Sequence, residues 1–424
     1  VSDKGFESRE SPGIGDAPLP AGWQWRTLGE VTEINPRRPP RLNLPGESLV
    51  SYLPMQGIDE VRGTIEAVEV RPFSAVAKGF TFFREGDVLF AKITPSMQNG
   101  KCAIATGLLD GIGFGSTEFH VLRPRQNVLP GWIHIYLRRL SFRREAMNHF
   151  QGAVGQQRVP EDFLRSVLIP VPGSLTVQRQ LLERVSSYMT EIGEAREYLA
   201  RIHADTARVL PAALAEIFGP AAAPRISQQR VVKQLHEVAT LARGRFSARP
   251  RNDPKFFGGT MPWVQIQNLP GEFNKYIIDS MDTLNPEGVS VSRVFPKGTL
   301  VISIAATIGA LGILNMEACF PDSLVGINPD TAQLDTGFLF WQLRYHRVEL
   351  ERNAPGATLR NINLRTLNEL KIWLPSRSEQ RSIDSYLDDL VTNLRHIHES
   401  YVVDKALLGQ LEQSILERAI HGEL

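Results

Sequence analysis

The chain has 424 residues, 42% of them hydrophobic and 22% charged, with a formal net charge of +1. That length exceeds one ordinary domain and asks for two to four folding units. No run of 18 apolar residues could cross a bilayer, and the two cysteines, Cys102 and Cys319, form no CxxC pair, which excludes zinc ribbons and disulfide frameworks and leaves two reduced core thiols.

The opening stretch, 1–18, is charged and rich in Pro, Gly and Ser. It lacks the apolar core of a signal peptide, so it predicts a disordered leader and a cytoplasmic protein. Residues 19–175 then read as a mixed α/β domain. TLGEV (27–31) reads as a strand, and FREGDVLFAKI (83–93) sets a Gly turn before apolar β-formers. Helical spacing follows over 132–150. After LIPVP, the segment 176–218 carries a 4,3 repeat on Leu181, Val185, Tyr188, Ile192, Ala195, Leu199, Ile202, Thr206, Val209 and Ala213. That is a coiled-coil seam with one polar exception, and Pro211 predicts a kink or an early end. GPAAAPRISQQ (219–229) reads as a linker.

The rest of the chain repeats this plan with a period of about 205 residues. QLHEV (234–238) answers TLGEV, IQNL (266–269) answers MQGI (55–58), and FPKGTLVISIA (295–305) answers FREGDVLFAKI. GATLRNINLRTLNELKIWLP (356–375) answers GAVGQQRVPEDFLRSVLIPVP (152–172), and EQRSIDSYL (379–387) answers VQRQLLERV (177–185). The second domain is therefore 230–376, with helical spacing over 337–352, and the second long helix is 377–424. Its seam is Ile383, Leu387, Leu390, Leu394, Ile397, Tyr401, Asp404, Leu408, Leu411 and Ile415. The expected fold class is a duplicated α/β (α+β) chain. Two globular domains would be separated by a pair of long antiparallel coiled-coil helices about a pseudo-two-fold. A broad helix face buried on its own domain is the alternative, but a two-per-seven stripe suits helix pairing better.

No catalytic signature survives inspection. Asn99-Gly100-Lys101 resembles the end of a phosphate-binding loop, but Pro95 stands where Gly is needed and Cys102 where Ser or Thr is needed. In Asn35-Pro36-Arg37-Arg38 the two arginines remove the stacking and tight turn of an amino-methyltransferase motif. Asp322, Glu369 and Lys371 are too loosely spaced for a nuclease site, and the first repeat has Ser166, Val167 and Leu168 in place of 369–371. His396 and His398, two apart on a helix, face different ways and form no metal-ligand pair.

The basic segments are more informative. Arg230, Lys233, Arg243, Arg245, Arg249, Arg251 and Lys255 crowd a stretch holding only Glu237 and Asp253 as acids, and Arg37, Arg38 and Arg41 take the same place in the first repeat. A solvated loop would look alike, but recurrence at equivalent positions favours DNA contact, since Arg forks suit phosphates and guanine edges. A second polar loop holds Lys92, Thr94, Ser96, Gln98, Asn99 and Lys101, whereas its counterpart at 305–312 is nearly devoid of polar groups. Loops that diverge on a kept scaffold predict two unlike half-sites. Gln56, Gln265, Gln267 and Asn268 are weaker candidates, since buried capping amides would read the same. Arg138, Arg139, Arg143 and Arg144 form a basic helical surface suited to phosphate contact. A helix from Leu181 to Ala213 spans roughly 50 Å, more than one DNA turn of about 34 Å.

LPAGWQWRTLGEV (19–31), LIPVPGSLTVQRQLLERV (168–185), IWLPSRSEQRSIDSYLDDL (372–390) and SILERAIHGEL (414–424) resemble the specificity (S) subunits of type I restriction–modification enzymes. The likeness runs from Leu19 to Leu424; one departure is Thr176-Val177-Gln178, where the family has Glu before Gln. The resemblance implies two target-recognition domains, each reading half of a bipartite DNA sequence, with the helices setting the spacer and docking two methyltransferase (M) subunits. It implies no cofactor on this chain, S-adenosylmethionine, ATP and Mg belonging to the M and restriction (R) partners. The other readings are an orphan or other-type recognition subunit, an α/β enzyme with an unrecognised site, and a purely structural coiled-coil scaffold.

Overall fold

The computed structural model describes residues 18–40, 42, 44–153, 155–219, 231–248, 250, 252–353 and 362–424. The expected leader up to 17, the linker from 220, and Arg41, Arg249 and Arg251 lie outside the described residues. The chain divides into two compact units, residues 1–198 with 404–424, and residues 199–403.

The units share two main sheets and a ribbon in the same strand order among the described residues, while the hairpin Ile58–Asp59 with Thr64–Ile65 is found in the first alone. In the first, one sheet runs in the order Thr32–Ile34, Phe119–Pro124, Val88–Ala91, Cys102–Ile104. Its counterpart in the second unit runs Ala239–Arg243, Leu324–Pro329, Leu300–Ser303, Leu311–Leu314, with Tyr276–Ile277 added in parallel. A second sheet runs Glu69–Pro72, Leu49–Leu53, Ile112–Gly115, Thr81–Arg84 and is matched by Asp282–Leu284, Phe257–Trp263, Ala318–Cys319, Val294–Phe295. Even the parallel pair at the middle of this sheet recurs. A two-stranded ribbon, Trp23–Thr27 with Leu168–Pro172, is matched by Val232–Gln234 with Lys371–Trp373. The duplicated mixed fold expected from the sequence is thus present in the hydrogen-bond ladders themselves.

Local sequence explains the shared elements. Gly86 and Gly298 adopt φ of +84° and +90°, which a side chain resists, and turn the chain into Val88–Ala91 and Leu300–Ser303. Both latter strands are buried along their whole length, which is why their sequences read as continuous apolar runs. TLGEV is not a strand. Thr27 and Glu30 form a reciprocal capping box that closes Leu28–Val31 into one helical turn, and Gln234 with Glu237 does the same for Leu235–Val238. The expected helix over 132–150 is two helices, Pro130–Arg138 and Leu140–Asn148, broken where Arg139 takes ψ of 137°. The second unit keeps one helix there, Thr336–Asn353.

The long helices are Leu175–Phe218, which continues through Pro211, and Arg377–His421. Each begins with a buried glutamine clamp. Gln178 accepts from the Leu129 amide and donates to the Asn127 and Pro172 carbonyls. Gln380 accepts from the Asp335 amide and donates to the Gln333 and Pro375 carbonyls. This is the physical content of the repeated Gln-Arg pair. It survives the loss of the preceding Glu at Val177.

Within each unit the two helix segments run antiparallel. In the second unit Phe218 lies 6.4 Å from Trp373, just ahead of Arg377, while His203 stacks on Tyr401 at 4.3 Å. In the first, Arg196 bonds Glu412, while Gly422 abuts Trp23, whose strand partner Pro172 precedes Leu175. Leu181, Val185 and Ile192 join Ile415, Leu416, Ala419 and Ile420 in one core with Trp132 and Tyr136. Leu210, Leu214 and Phe218 join Leu387, Val391 and Leu394 in the other.

The seam is only partly the one expected. Leu181, Val185, Ile192, Leu387 and Leu394 are buried, and Leu199, Ile383, Leu390, Tyr401 and Leu408 partly so. Tyr188, Ile202, Val209, Ile397 and Leu411 are exposed. His203, Leu210, His398 and Glu412 take the inward positions instead. A straight helix has 3.6 residues per turn, so a strict 3.5 repeat drifts around it by about 20° per heptad. The buried stripe has moved one residue along by the far part of each helix.

Candidate nucleic-acid interface

The register of the first sheet in each unit decides where the candidate loops go. In the first unit Thr32–Ile34 and Val88–Ala91 both run antiparallel to Phe119–Pro124, on opposite sides of it. They therefore end at the same edge, where the Asn35 amide bonds Val121 and the Lys92 amide bonds Glu118. The segment with Arg37 and Arg38 and the loop with Lys92, Gln98 and Asn99 leave this one edge. The second unit repeats the geometry. Gly244 bonds Leu324 and Ile304 bonds Ser323, so the segment after Arg243 and the loop beyond Ser303 leave one edge too.

Asn35 anchors the first of these loops. It holds the left-handed φ of 51°, accepts from the Val121 amide, and its Nδ2 reaches Glu161 at 2.6 Å and His120 Nδ1 at 3.1 Å. His120 Nε2 then faces the Val159 carbonyl at 2.8 Å, and burial holds its imidazole below the usual histidine range. Asn tolerates the left-handed region better than most residues, so the Asn-Pro pair carried a turn signal that reading it for chemistry missed.

Aligning the units on Pro124 and Pro329, which end the central strands, brings Arg38 level with Arg245. Both are exposed, yet both brace the loop: Arg38 donates to Ala77 O at 2.9 Å and Arg245 to Ser292 O at 3.0 Å. Arg37 and Arg243 are exposed with no side-chain bond among the described residues, as are Gln98 and Asn99; Lys92 is half-buried. Other candidates have local work. The Thr94 hydroxyl is buried without a partner among the described residues. Lys101 donates to Ile58 O at 2.7 Å and lies 3.7 Å from Glu60. Gln265 closes a capping box with Asn268 and reaches Asp282 at 3.3 Å, while Gln267 is exposed.

The basic helical surface is largely spoken for. Arg138 bonds Glu412 and the Val61 and Arg62 carbonyls, Arg139 bonds Glu417 at 2.7 Å, and Arg143 donates to Gln98 O at 2.9 Å. Glu412 and Glu417 lie more than 270 residues further on, so no local reading could have paired them. Arg144 alone of the four is exposed. Burial pushes the Cys102 thiol up to about 12 and Cys319 to about 11, which keeps both protonated and inert. Among the described residues no group of three or more His, Cys, Asp or Glu could hold a metal, and no helix is long and apolar enough to cross a membrane.

Two copies of one sheet-and-helix unit, each offering paired loops at one sheet edge, define a duplicated scaffold. A family model for the type I restriction modification DNA specificity domain matches residues 229–400. The EcoAI specificity subunit of Escherichia coli is 35% identical over 173 residues, 41% of this chain and 29% of that protein. The EcoEI subunit of the same species is 34% identical over 172 residues, so the match spans under a third of these relatives' own length. A putative MjaX specificity subunit of Methanocaldococcus jannaschii is 24% identical over 72% of both chains. Among solved structures, a chain from work on complex assembly and conformational transition of the type I R-M system superposes with a TM-score of 0.82 at 25% identity, covering 96% of this chain and 100% of that one. The HsdS subunit of Thermoanaerobacter tengcongensis gives 0.64 at 26% identity, covering 97% and 99%. Residues 229–400 thus match the specificity-domain family, and the chain as a whole resembles type I restriction–modification specificity subunits.

Proposed function

We propose that this chain is the non-catalytic, DNA-reading subunit of a type I restriction–modification complex, and that each unit reads one half of a bipartite target. The observation that carries the reading is the recurrence, in both units, of a basic segment and a second loop leaving one edge of the same sheet. Arg37, Arg243 and, beyond their bracing bonds, Arg38 and Arg245 supply phosphate contacts that set register. Lys92, Gln98, Asn99 and Gln267 offer donors and acceptors for base edges. Arg41, Arg249 and Arg251 belong to the same basic segments in sequence. Lys101 and Gln265 serve the loops' own architecture, and the Thr94 hydroxyl is turned inward, away from solvent.

The long helices set the separation of the half-sites and present exposed apolar residues, such as Tyr198, Val402 and Val403, to methyltransferase subunits. Those partners hold S-adenosylmethionine and modify the base; restriction subunits use ATP and Mg. The work is done in the cytoplasm on double-stranded DNA. The test is a genomic map of adenine methylation with and without this gene, in the presence of its methyltransferase partner. Two unlike half-sites with a fixed gap are expected to appear only with the gene; a single uninterrupted motif, or no change, would refute the reading.

A further inference from the structure

The second unit contains a groove of about 730 Å³ that the sequence did not announce. Its walls are the turn Ile266–Asn268 with the segment after it, the loop from Ala306 to Leu311, and the helix Thr336–Asn353. Gln267, Asn274, Thr307, Arg344 and Arg347 bring polar groups to it, and Glu272 brings one acid. The loop at its rim leaves the same sheet edge as the basic segment after Arg243.

Arg344 is the unusual member. Its guanidinium is mostly withdrawn from water, and burial holds it below the usual arginine range, offset by Glu272 and aggravated by Arg347. It lies 5.6 Å over the Trp341 ring. No hydrogen bond to its fork is found among the described residues, whereas the neighbouring Arg347 is held by Glu351 at 2.7 Å. A half-desolvated guanidinium facing a groove with open donors is costly to keep without a partner that satisfies it.

The first unit supplies an internal control. The glutamine clamps hold Leu129 and Asp335 at the two helix starts, and Gly131 and Gly337 then face Leu182 and Asp384, which sets Arg344 against Arg138. In the first unit Arg138 is tied to Glu412 and to the Val61 and Arg62 carbonyls. An arginine is kept at this position, and Arg344 has none of these ties among the described residues. A scaffold duplicated to read two different sequences must differ where it touches them, and this is a place where the arginine is held and its ties are not.

Resting on the DNA-reading function proposed above, we infer that Arg344 is a specificity-determining contact of the second unit, giving its fork to a paired acceptor of the half-site that this unit reads. The paired acceptor is either the O6/N7 edge of a guanine or two oxygens of one phosphate. Gln267, at the rim, contacts the same half-site.

The test uses the full chain with its methyltransferase partner, comparing wild type, Arg344→Gln and Gln267→Ala. Genomic methylation gives the recognised sequence, and binding to a duplex of the wild-type target is measured across salt concentrations. If the acceptor is guanine, Arg344→Gln lowers discrimination at one base pair of one half-site by about 10- to 100-fold, leaving the other half-site and the gap unchanged. If it is phosphate, affinity falls for all sequences and the salt slope drops by about 1. Gln267→Ala, at an exposed position, weakens the same half-site and reports on the groove even if Arg344→Gln folds poorly. Both variants keeping wild-type preference and salt slope would overturn the inference. A wild-type complex without a bipartite target would instead overturn the DNA-reading function itself, and the wild-type arm shows which has failed.

Discussion

The two units hold their scaffolds with the same bonds and anchor the acids of the second long helix in ion clusters of different build. In the first, Glu412 of that helix is buried between Arg138 at 2.7 Å and Arg196 at 2.8 Å. In the second, Lys275 of the sheet domain lies between Asp384 at 2.5 Å and Asp388 at 2.6 Å, with Trp341 Nε1 also donating to Asp384. The glutamine clamps, one-turn capped helices and strand order are kept through duplication. The ion clusters have been reinvented. What the fold needs is a satisfied helix start and a buried tie to acids of the second long helix; whether one acid is shared by two bases or one base by two acids is free to vary.

Breaking the ties should give the largest effects. Glu412→Ala strands two largely buried arginines and is expected to cost about 3–5 kcal/mol in chemical denaturation of the full chain. Lys275→Ala leaves two carboxylates side by side, but Asp388 is 43% exposed and water screens it, so about 2 kcal/mol is expected. Equal losses would mean that exposure does not separate the two clusters. Gln178→Ala and Gln380→Ala each orphan one buried amide and two carbonyls and should cost about 2 kcal/mol, alike in both units. A difference of more than twofold would show that the clamps have diverged.

Acid should tell the units apart. His134 Nε2 lies 3.1 Å from the Cys102 carbonyl, and desolvation, with Arg138 adding to it, pulls its imidazole down to about 4. The unfolded chain therefore binds this proton between pH 6.5 and about 4 while the folded chain does not, so stability falls as pH drops through that window. The residue is only partly buried by surface area, which trims the expected loss to about 2 kcal/mol at pH 4. The corresponding position in the second unit is Phe340, which is buried. His134→Leu should flatten the acid dependence of the first unit in hydrogen exchange and leave the second unchanged.

The smallest effects concern DNA. Removing Arg37 or Arg243 should lower the salt slope of binding by about 1 each without changing the preferred sequence. A changed sequence would move that arginine from phosphate to base.

Much of this was legible in the sequence because it recurs. Five matched segments in order announced the duplication, and the strand order of the main sheets follows it. The continuous apolar runs after Gly86 and Gly298 located the buried strands for the same reason. What the sequence hid was non-local. Arg138 and Arg139 looked like a free basic surface because Glu412 and Glu417 are far along the chain. Ile202 and Ile397 looked like seam residues because a count of 4,3 ignores the drift of a straight helix. TLGEV passed for a strand because four residues are too few for helical periodicity to show. Arg344 gave no signal until it could be set against Arg138, whose ties it lacks.

The account rests on one chain gripping two separate half-sites at a fixed distance. Its most direct test is binding of the assembled methyltransferase complex to duplexes carrying the mapped target, with either half scrambled or one base pair added between the halves. Each change alone should weaken binding toward the non-specific level, at least about 1,000-fold. Binding that survives loss of one half, or that ignores the added base pair, would contradict it.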